Sequence, residues 1–225
     1  MAIRQSIPYI QPMTQANIDH FSILLGGTLV PTPRLIQQIA GSRVIAADGG
    51  ILHAATLGVT VELWVGDFDS TPADVHARLG HIPRETHPVA KNRTDGEIAI
   101  EAAIQRGARR LTLVSGLGGQ ADHVLGHFML ALRYAQLGLS VAISSGDEEA
   151  YPLLAGTHAF DLPNESRTSI IPLSALERLT LENVYWPLKD ADVPLGSTWT
   201  LSNVAKGRVQ VTLGSGYGMV IAYPV

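Results

Sequence analysis

Five short apolar runs, spaced by stretches that read as helices and turns, occupy the first two-thirds of the chain. They are FSILLGG (21–27), RVIAADGG (43–50), ELWVGDFDS (62–70), RRLTLVSGLGG (109–119) and LSVAISSG (139–146). Such strand–helix alternation predicts a mostly parallel sheet covered by helices on both faces. One helix is expected near Pro33 to Ala40. Another follows the third run, with Thr71 as N-cap, Pro72 in the first turn and Asp74 at the positive helix end. From about Thr157 the texture changes to RTSIIPL, ERLTLENVYW, STWTLSN, GRVQVTLG and GYGMVIAYPV, separated by Pro, Gly, Asn and Asp. Helical periodicity is absent there, so a small antiparallel sandwich or barrel is expected. The boundary falls between Gly146 and Gly156. The expected architecture is an α/β domain over 1–150 followed by a small all-β domain over 151–225.

Composition narrows the function. Apolar residues make up 46% and charged residues 16%, enough for a real core. The 20 acids outnumber the 16 Lys and Arg, leaving a net charge of -4. Nucleic acid is therefore not an expected partner, because phosphate backbones are held by clustered cations. With no cysteine in the chain, disulfides, thiolate metal sites and cysteine nucleophiles are excluded. The first residues show no apolar leader, and no stretch reaches the roughly 18 apolar residues of a membrane span. A cytoplasmic protein with no membrane partner is expected.

The polar residues concentrate where the strands end. Ala47-Asp48-Gly49-Gly50, Gly66-Asp67-Phe68-Asp69-Ser70, the segment from Lys91 to Glu97, and Gly116 to His123 are acidic or glycine-rich turns. The carboxyl ends of strands form the ligand crevice of an open parallel sheet. Asp48, Asp67, Asp69, Asp95 and Asp122 would then crowd one cleft without matching cations. A hard divalent ion relieves that repulsion, and magnesium held by carboxylates and substrate phosphates is the usual arrangement. Glycine pairs permit close backbone approach, and helix N-termini offer amides to phosphate. Plainer readings stand beside this one. Asp48-Gly49-Gly50 is also an ordinary strand-to-helix turn, and Asp67 to Ser70 fits turn and capping chemistry. Thr94 and Glu97 have capping-box spacing, and Asp122 suits the N-cap of a helix to Tyr134. His123 and His127 read as surface or packing histidines. The joint occurrence of the turns is what favours a site.

Taken in order, ADGG (47–50), GDFDS (66–70), KNRTDGEIA (91–99) and GLGGQADH (116–123) resemble the thiamine pyrophosphokinase family. LTLENVYWPL (179–188) followed by TLSN (200–203) is similar to that family's second domain, so the likeness runs from about residue 22 to the end. The resemblance implies transfer of pyrophosphate from ATP to thiamine with release of AMP, magnesium as the metal, and a homodimer with thiamine at the interface. By the same likeness Asp48, Asp67, Asp69 and Asp95 match the magnesium and phosphate-site acids. Lys91 matches the lysine that opens the third motif, and Asp122 the acid of a Gly-Gly-Arg-x-Asp turn. Gly49, Gly50, Thr94, Gly118, Gly119 and Gln120 fall in the ATP and phosphate turns. Trp186 and Ser202 match thiamine-binding positions, and Asn203 completes that motif.

Three positions depart from the family pattern. Gln120 stands where Arg is common, Asn92 where Asp follows the lysine, and His127 where Asn is frequent. A neutral amide bonds a phosphate oxygen but supplies no charge, which would either lower the rate or shift the task to Arg93. Two alternatives follow: a thiamine- or nucleotide-binding relative without catalysis, and a phosphatase that uses Asp67 as an aspartyl nucleophile. The base that takes the hydroxyl proton is expected among the aspartates.

Overall fold

The computed structural model describes residues 19–68, 77–87 and 92–224. Asp69, Lys91 and the helix start expected at Thr71 lie outside the described residues. The first half contains β1 (His20–Leu24), α1 (Pro33–Ile39), β2 (Arg43–Ala47), a 3-10 turn (Asp48–Leu52), α2 (His53–Leu57), β3 (Leu63–Gly66) and β4 (Arg84–Thr86). It continues with α3 (Asp95–Gln105), β5 (Arg110–Val114), α4 (Ala121–Gln136) and β6 (Ser140–Ser144). The second half is β-rich: β7 (Glu149–Leu153), β8 (Gly156–Phe160), β9 (Arg167–Pro172), β10 (Leu176–Val184), β11 (Leu188–Val193), β12 (Asn203–Leu213) and β13 (Gly218–Tyr223).

Strands β6, β5, β1, β2, β3 and β4 lie side by side, every pair parallel. The period-2 alternation of each strand sorts its side chains to two faces. Phe21, Ile23, Ile45, Leu111 and Leu113 meet α3 and α4 in one core, while Leu24, Val44, Ala46 and Trp64 face Leu35 and Ile39 of α1 in another. The expected helix at Pro33 to Ala40 is α1, started by Thr32, whose hydroxyl accepts from the Leu35 amide. No helix among the described residues is long and apolar enough to cross a membrane.

The parallel sheet does not stop at β6. Antiparallel β7 pairs with it and then with β13, followed by β9, β12, β10 and β11, with β8 added on β12. The expected division at 150 falls inside β7. A third core, built on Leu153, Leu176, Leu181, Val209 and Val211, fills the β-rich half. One segment differs from expectation: STWTLSN is a turn rather than a strand, and only its last residue begins β12. Its backbone is satisfied locally. Thr200 exchanges two bonds with Ile170, its carbonyl accepting from the Ile170 amide and its hydroxyl donating to the Ile170 carbonyl. The Ser202 amide donates to the Ser169 hydroxyl at 2.9 Å, and left-handed Ser202 (φ 58°) turns the chain into β12.

β7 is tied back to α1 by one carboxylate. Glu149 is 1% exposed and accepts from Arg34 Nε at 2.6 Å, Arg34 Nη2 at 3.0 Å, Gln38 at 2.6 Å and the Tyr151 hydroxyl at 2.5 Å. Arg34 also donates to the Asp161 carbonyl just after β8. The bonds to Glu149, its largest influence, raise the Arg34 pKa further, while burial and the same carboxylate push the Tyr151 phenol up. Burying a charge is tolerated only while its partners remain. Arg34→Met should therefore lower unfolding free energy by about 3 kcal/mol. Adding Glu149→Gln, which removes the stranded charge, should recover part of the loss. Urea denaturation of both variants checks this.

Candidate active site

β1 hydrogen-bonds β2 on one side and β5 on the other, so the chain leaves neighbouring strands in opposite directions around the sheet. That reversal opens a crevice beyond the carboxyl ends of the strands. A cleft of about 470 Å³ lies there. Gly26 and Gly27 reach it from β1, Asp48 and Gly49 from β2, Thr94 to Gly96 from the start of α3, and Gly118 to Gln120 from β5. A larger cavity of about 730 Å³ opens beside α1, β7 and β8, lined by Arg34, Gln38 and Tyr151, which are already bonded to buried Glu149.

Local chemistry shapes each wall. Asp48 is left-handed (φ 42°), and its carbonyl accepts from the indole N–H of fully buried Trp64 at 2.9 Å. A Cβ on Gly50 would stand 2.1 Å from the Leu24 carbonyl oxygen, so only glycine lets this turn close on β1. Gly118 and Gly119 both need positive φ, 76° and 85°, which bends the loop after β5 back toward the cleft. Ser145, at the end of β6, braces that loop by accepting from the Leu117 amide and donating to its carbonyl.

Two helix N-termini point their amides toward the same space. Thr94 caps α3 by accepting from the Glu97 amide at 3.2 Å, as its capping-box spacing predicts. The Glu97 carboxylate does not return to Thr94 but bonds Arg133 at 2.7 Å, completing only half of the box. α4 begins differently from expectation. Gln120, not Asp122, is the N-cap, and it makes no side-chain cap bond. Asp122 sits in the first turn, exposed, accepting from the His123 amide at 2.9 Å.

Asp48 and Asp95 both line the cleft, and no Lys or Arg does so among the described residues. Asp67 follows β3, half-buried, one residue past Gly66, whose backbone packs on Asp48. Among the described residues no three His, Asp or Glu converge to hold a metal ion on their own. The donor set is nonetheless hard oxygen, and magnesium is usually bound by one or two carboxylates with substrate phosphates and water completing the shell. The residues present fit that ion as part of a metal–phosphate complex. Arg93, one of two ways in which the missing charge of Gln120 could be met, is paired with Glu101 on α3.

His123 and His127 both line the cleft, four residues apart on α4, their ring centroids 6.2 Å apart. His127 is the more buried, with Nδ1 2.8 Å from the Gly116 carbonyl. Burial lowers its pKa, His123 lowers it further, and the bond to Gly116 opposes both. His123, His127, Gly96 and Gly26-Gly27 line the cleft although the sequence pattern does not single them out for it. Gly26-Gly27 closes the first apolar run and repeats the signal of Gly49-Gly50.

Trp186, Ser202 and Asn203 are not brought to this cleft, whose described lining ends at His127. Trp186 is 62% exposed just beyond β10. Asn203 is buried and grips the Trp186 backbone from both sides: its amide donates to the Trp186 carbonyl at 2.7 Å, and its oxygen accepts from the Trp186 amide at 3.2 Å. Ser202 is exposed beside it.

Comparison with known proteins adds two family models. Residues 37–143 match the thiamin pyrophosphokinase catalytic domain, and residues 157–218 match the thiamin pyrophosphokinase vitamin B1 binding domain. A curated thiamine pyrophosphokinase of Bacillus subtilis is 25% identical over 163 residues, spanning 71% of this chain and 76% of that protein. The crystal structure of a Bacillus subtilis thiamine pyrophosphokinase superposes with a TM-score of 0.81 at 22% identity, covering 91% of this chain and 99% of that one. A thiamin pyrophosphokinase from Geobacillus thermodenitrificans gives 0.79 at 26% identity, with 92% and 98% covered.

The turn glycines supply a stability test. Gly50→Ala should cost about 2 kcal/mol or more, because its methyl meets backbone rather than a side chain that can move. Gly126, within α4, has open space where a Cβ would go. Gly126→Ala should instead raise stability by about 1 kcal/mol. Thermal melts of the two variants beside the parent distinguish the two outcomes.

Proposed function

Because the chain belongs to the thiamine pyrophosphokinase family, we propose that its cleft transfers a pyrophosphoryl group from ATP to the hydroxyl of thiamine, releasing thiamine diphosphate and AMP. The observation that carries this reading is the meeting of Asp48, Asp95 and two helix N-termini at the switch point of the sheet. Carboxylates alone would repel a triphosphate, and amides alone would not neutralise it. The combination suits a metal-bound polyphosphate.

Asp48, Asp67, Asp69 and Asp95 are the residues assigned to a magnesium ion, which when bound would neutralise charge on the transferring group. The loop Gly118–Gln120 and the start of α4 offer amides to phosphate oxygens. Gly49 and Gly50 let backbone come close, while Thr94 fixes the α3 terminus. Lys91 is assigned to the triphosphate by its motif position. Gln120 contributes an amide where a guanidinium would bring charge, so more of the neutralisation falls on the metal. Catalysis in such a site is mainly positioning and charge compensation.

Thiamine recognition is assigned to Trp186 and Ser202, with Asn203 acting through the Trp186 backbone. An exposed indole suits a cationic aromatic ring. Since these residues do not line the cleft of their own chain, a homodimer in which one subunit's Trp186 completes the other's cleft accounts for both halves.

The direct test supplies purified protein with ATP, magnesium and thiamine. AMP and thiamine diphosphate should form in equal amounts, EDTA should abolish the reaction, and magnesium should restore it. ADP as the thiamine-dependent product would overturn the assignment, and free phosphate with labelled Asp67 would favour the phosphatase. For the shared site, Trp186→Ala should raise the thiamine KM and spare the ATP KM. Mixed with Asp67→Asn subunits, it should regain partial activity through heterodimers carrying one intact site. Heterodimers that form but stay inactive would refute the composite arrangement.

A further inference from the structure

The hydroxyl that attacks phosphorus must lose a proton, and the acids of the cleft are poorly placed to take it if they hold the metal. A carboxylate bound to a cation has its lone pairs committed and its basicity reduced. Thr94, whose hydroxyl is taken up in capping α3, aside, the described cleft side chains left with an acceptor are Gln120, His123 and His127. An amide oxygen is too weak a base. His123 is exposed, and among the described residues no wall group fixes either of its ring nitrogens.

His127 differs on both counts. Its Nδ1 lies 2.8 Å from the Gly116 carbonyl, an acceptor only, so that nitrogen must carry the hydrogen. In the neutral ring Nε2 is then a lone-pair acceptor. With Nδ1 turned to the wall, the other edge of the imidazole is the part left to line the cleft. The brace is itself rigid, because Gly116 follows buried Ser115 and precedes Leu117, which Ser145 holds by two hydrogen bonds.

Resting on the pyrophosphokinase reading above, we propose that His127 is the general base of the reaction, with Nε2 receiving the proton of the attacking hydroxyl. The O–H bond breaks and its electron pair forms the bond from oxygen to the β-phosphorus of ATP. The bond from that phosphorus to the bridging oxygen breaks, and its pair leaves with AMP. The proton on Nε2 makes an imidazolium whose Nδ1–H bond to Gly116 strengthens as charge develops, and it passes to solvent once products leave.

The test is His127→Asn in the full-length enzyme, which keeps a donor for Gly116 and removes Nε2. The turnover number should fall by about 10²- to 10⁴-fold, with the melting temperature and ATP binding unchanged. The pH profile gives an independent readout. A histidine with a lowered pKa is neutral, and so able to accept, above that pKa and is lost as a base below it. The parent enzyme should therefore show an acid limb in kcat with a midpoint below 6.5. The groups around His127 are His123 on its own helix and Asp48 and Asp95 across the cleft, and the limb should vanish with His127 alone. A turnover within threefold of the parent, or an acid limb that survives the substitution, overturns the proposal. If the His127→Asn variant fails to fold, His127→Gln carries the same two measurements. If the parent makes no thiamine-dependent AMP, the pyrophosphokinase reading falls and this inference with it. If the parent turns over and the variant does too, this inference alone falls.

Discussion

Parallel hydrogen bonding on both sides of β1 holds the catalytic half in place: Leu24 faces Ala46 of β2 and Val114 of β5. Because both neighbours are parallel to β1, all three strands deliver their following turns to the same edge. Contact there is between backbones. Gly50 lies against the Leu24 carbonyl, and a Cβ on Gly27 would stand 2.3 Å from the Ser115 carbonyl. Side chains at either point would force the turns apart. The space that remains can receive a polyphosphate because what lines it is largely amide and glycine, with acids at defined places.

A second constraint links the halves. β7 pairs with β6 on one side and β13 on the other, and its buried Glu149 is clamped by Arg34, Gln38 and Tyr151. The β-rich half therefore cannot drift as an independent bead. Its exposed Trp186 is held at a set place by Asn203, whose amide group occupies the backbone donor and acceptor of that residue. Trp186 thus sits on a fixed frame away from its own chain's cleft, which is the geometry that the proposed composite site requires.

Much of this was legible in the chain. Short apolar runs punctuated by glycine located β1, β2, β3, β5 and β6, since a strand buried on both faces is rich in apolar residues. Thr94 announced its cap by the Glu97 spacing. Other features were hidden for physical reasons. STWTLSN alternates like a strand, yet Thr200 and Ser202 satisfy its backbone through β9. β7, EAYPL, carries a charge and a proline and so has no strand signature; its partners on both sides supply the stability. Asp122 has a capping side chain, but the glycine loop starts the helix before it.

Local pattern determined the element types, the acids in the turns and the lack of any cysteine chemistry, because these follow from residue identity and period. Tertiary structure decided which turns share a cleft, since parallel pairing gathers residues 26, 48, 95 and 118 from separate parts of the chain. It also decided the state of His127. Nothing in ADHVLGH distinguishes a packing histidine from a poised one; the difference is a carbonyl 2.8 Å away, contributed by a loop that β5 and Ser145 hold in place.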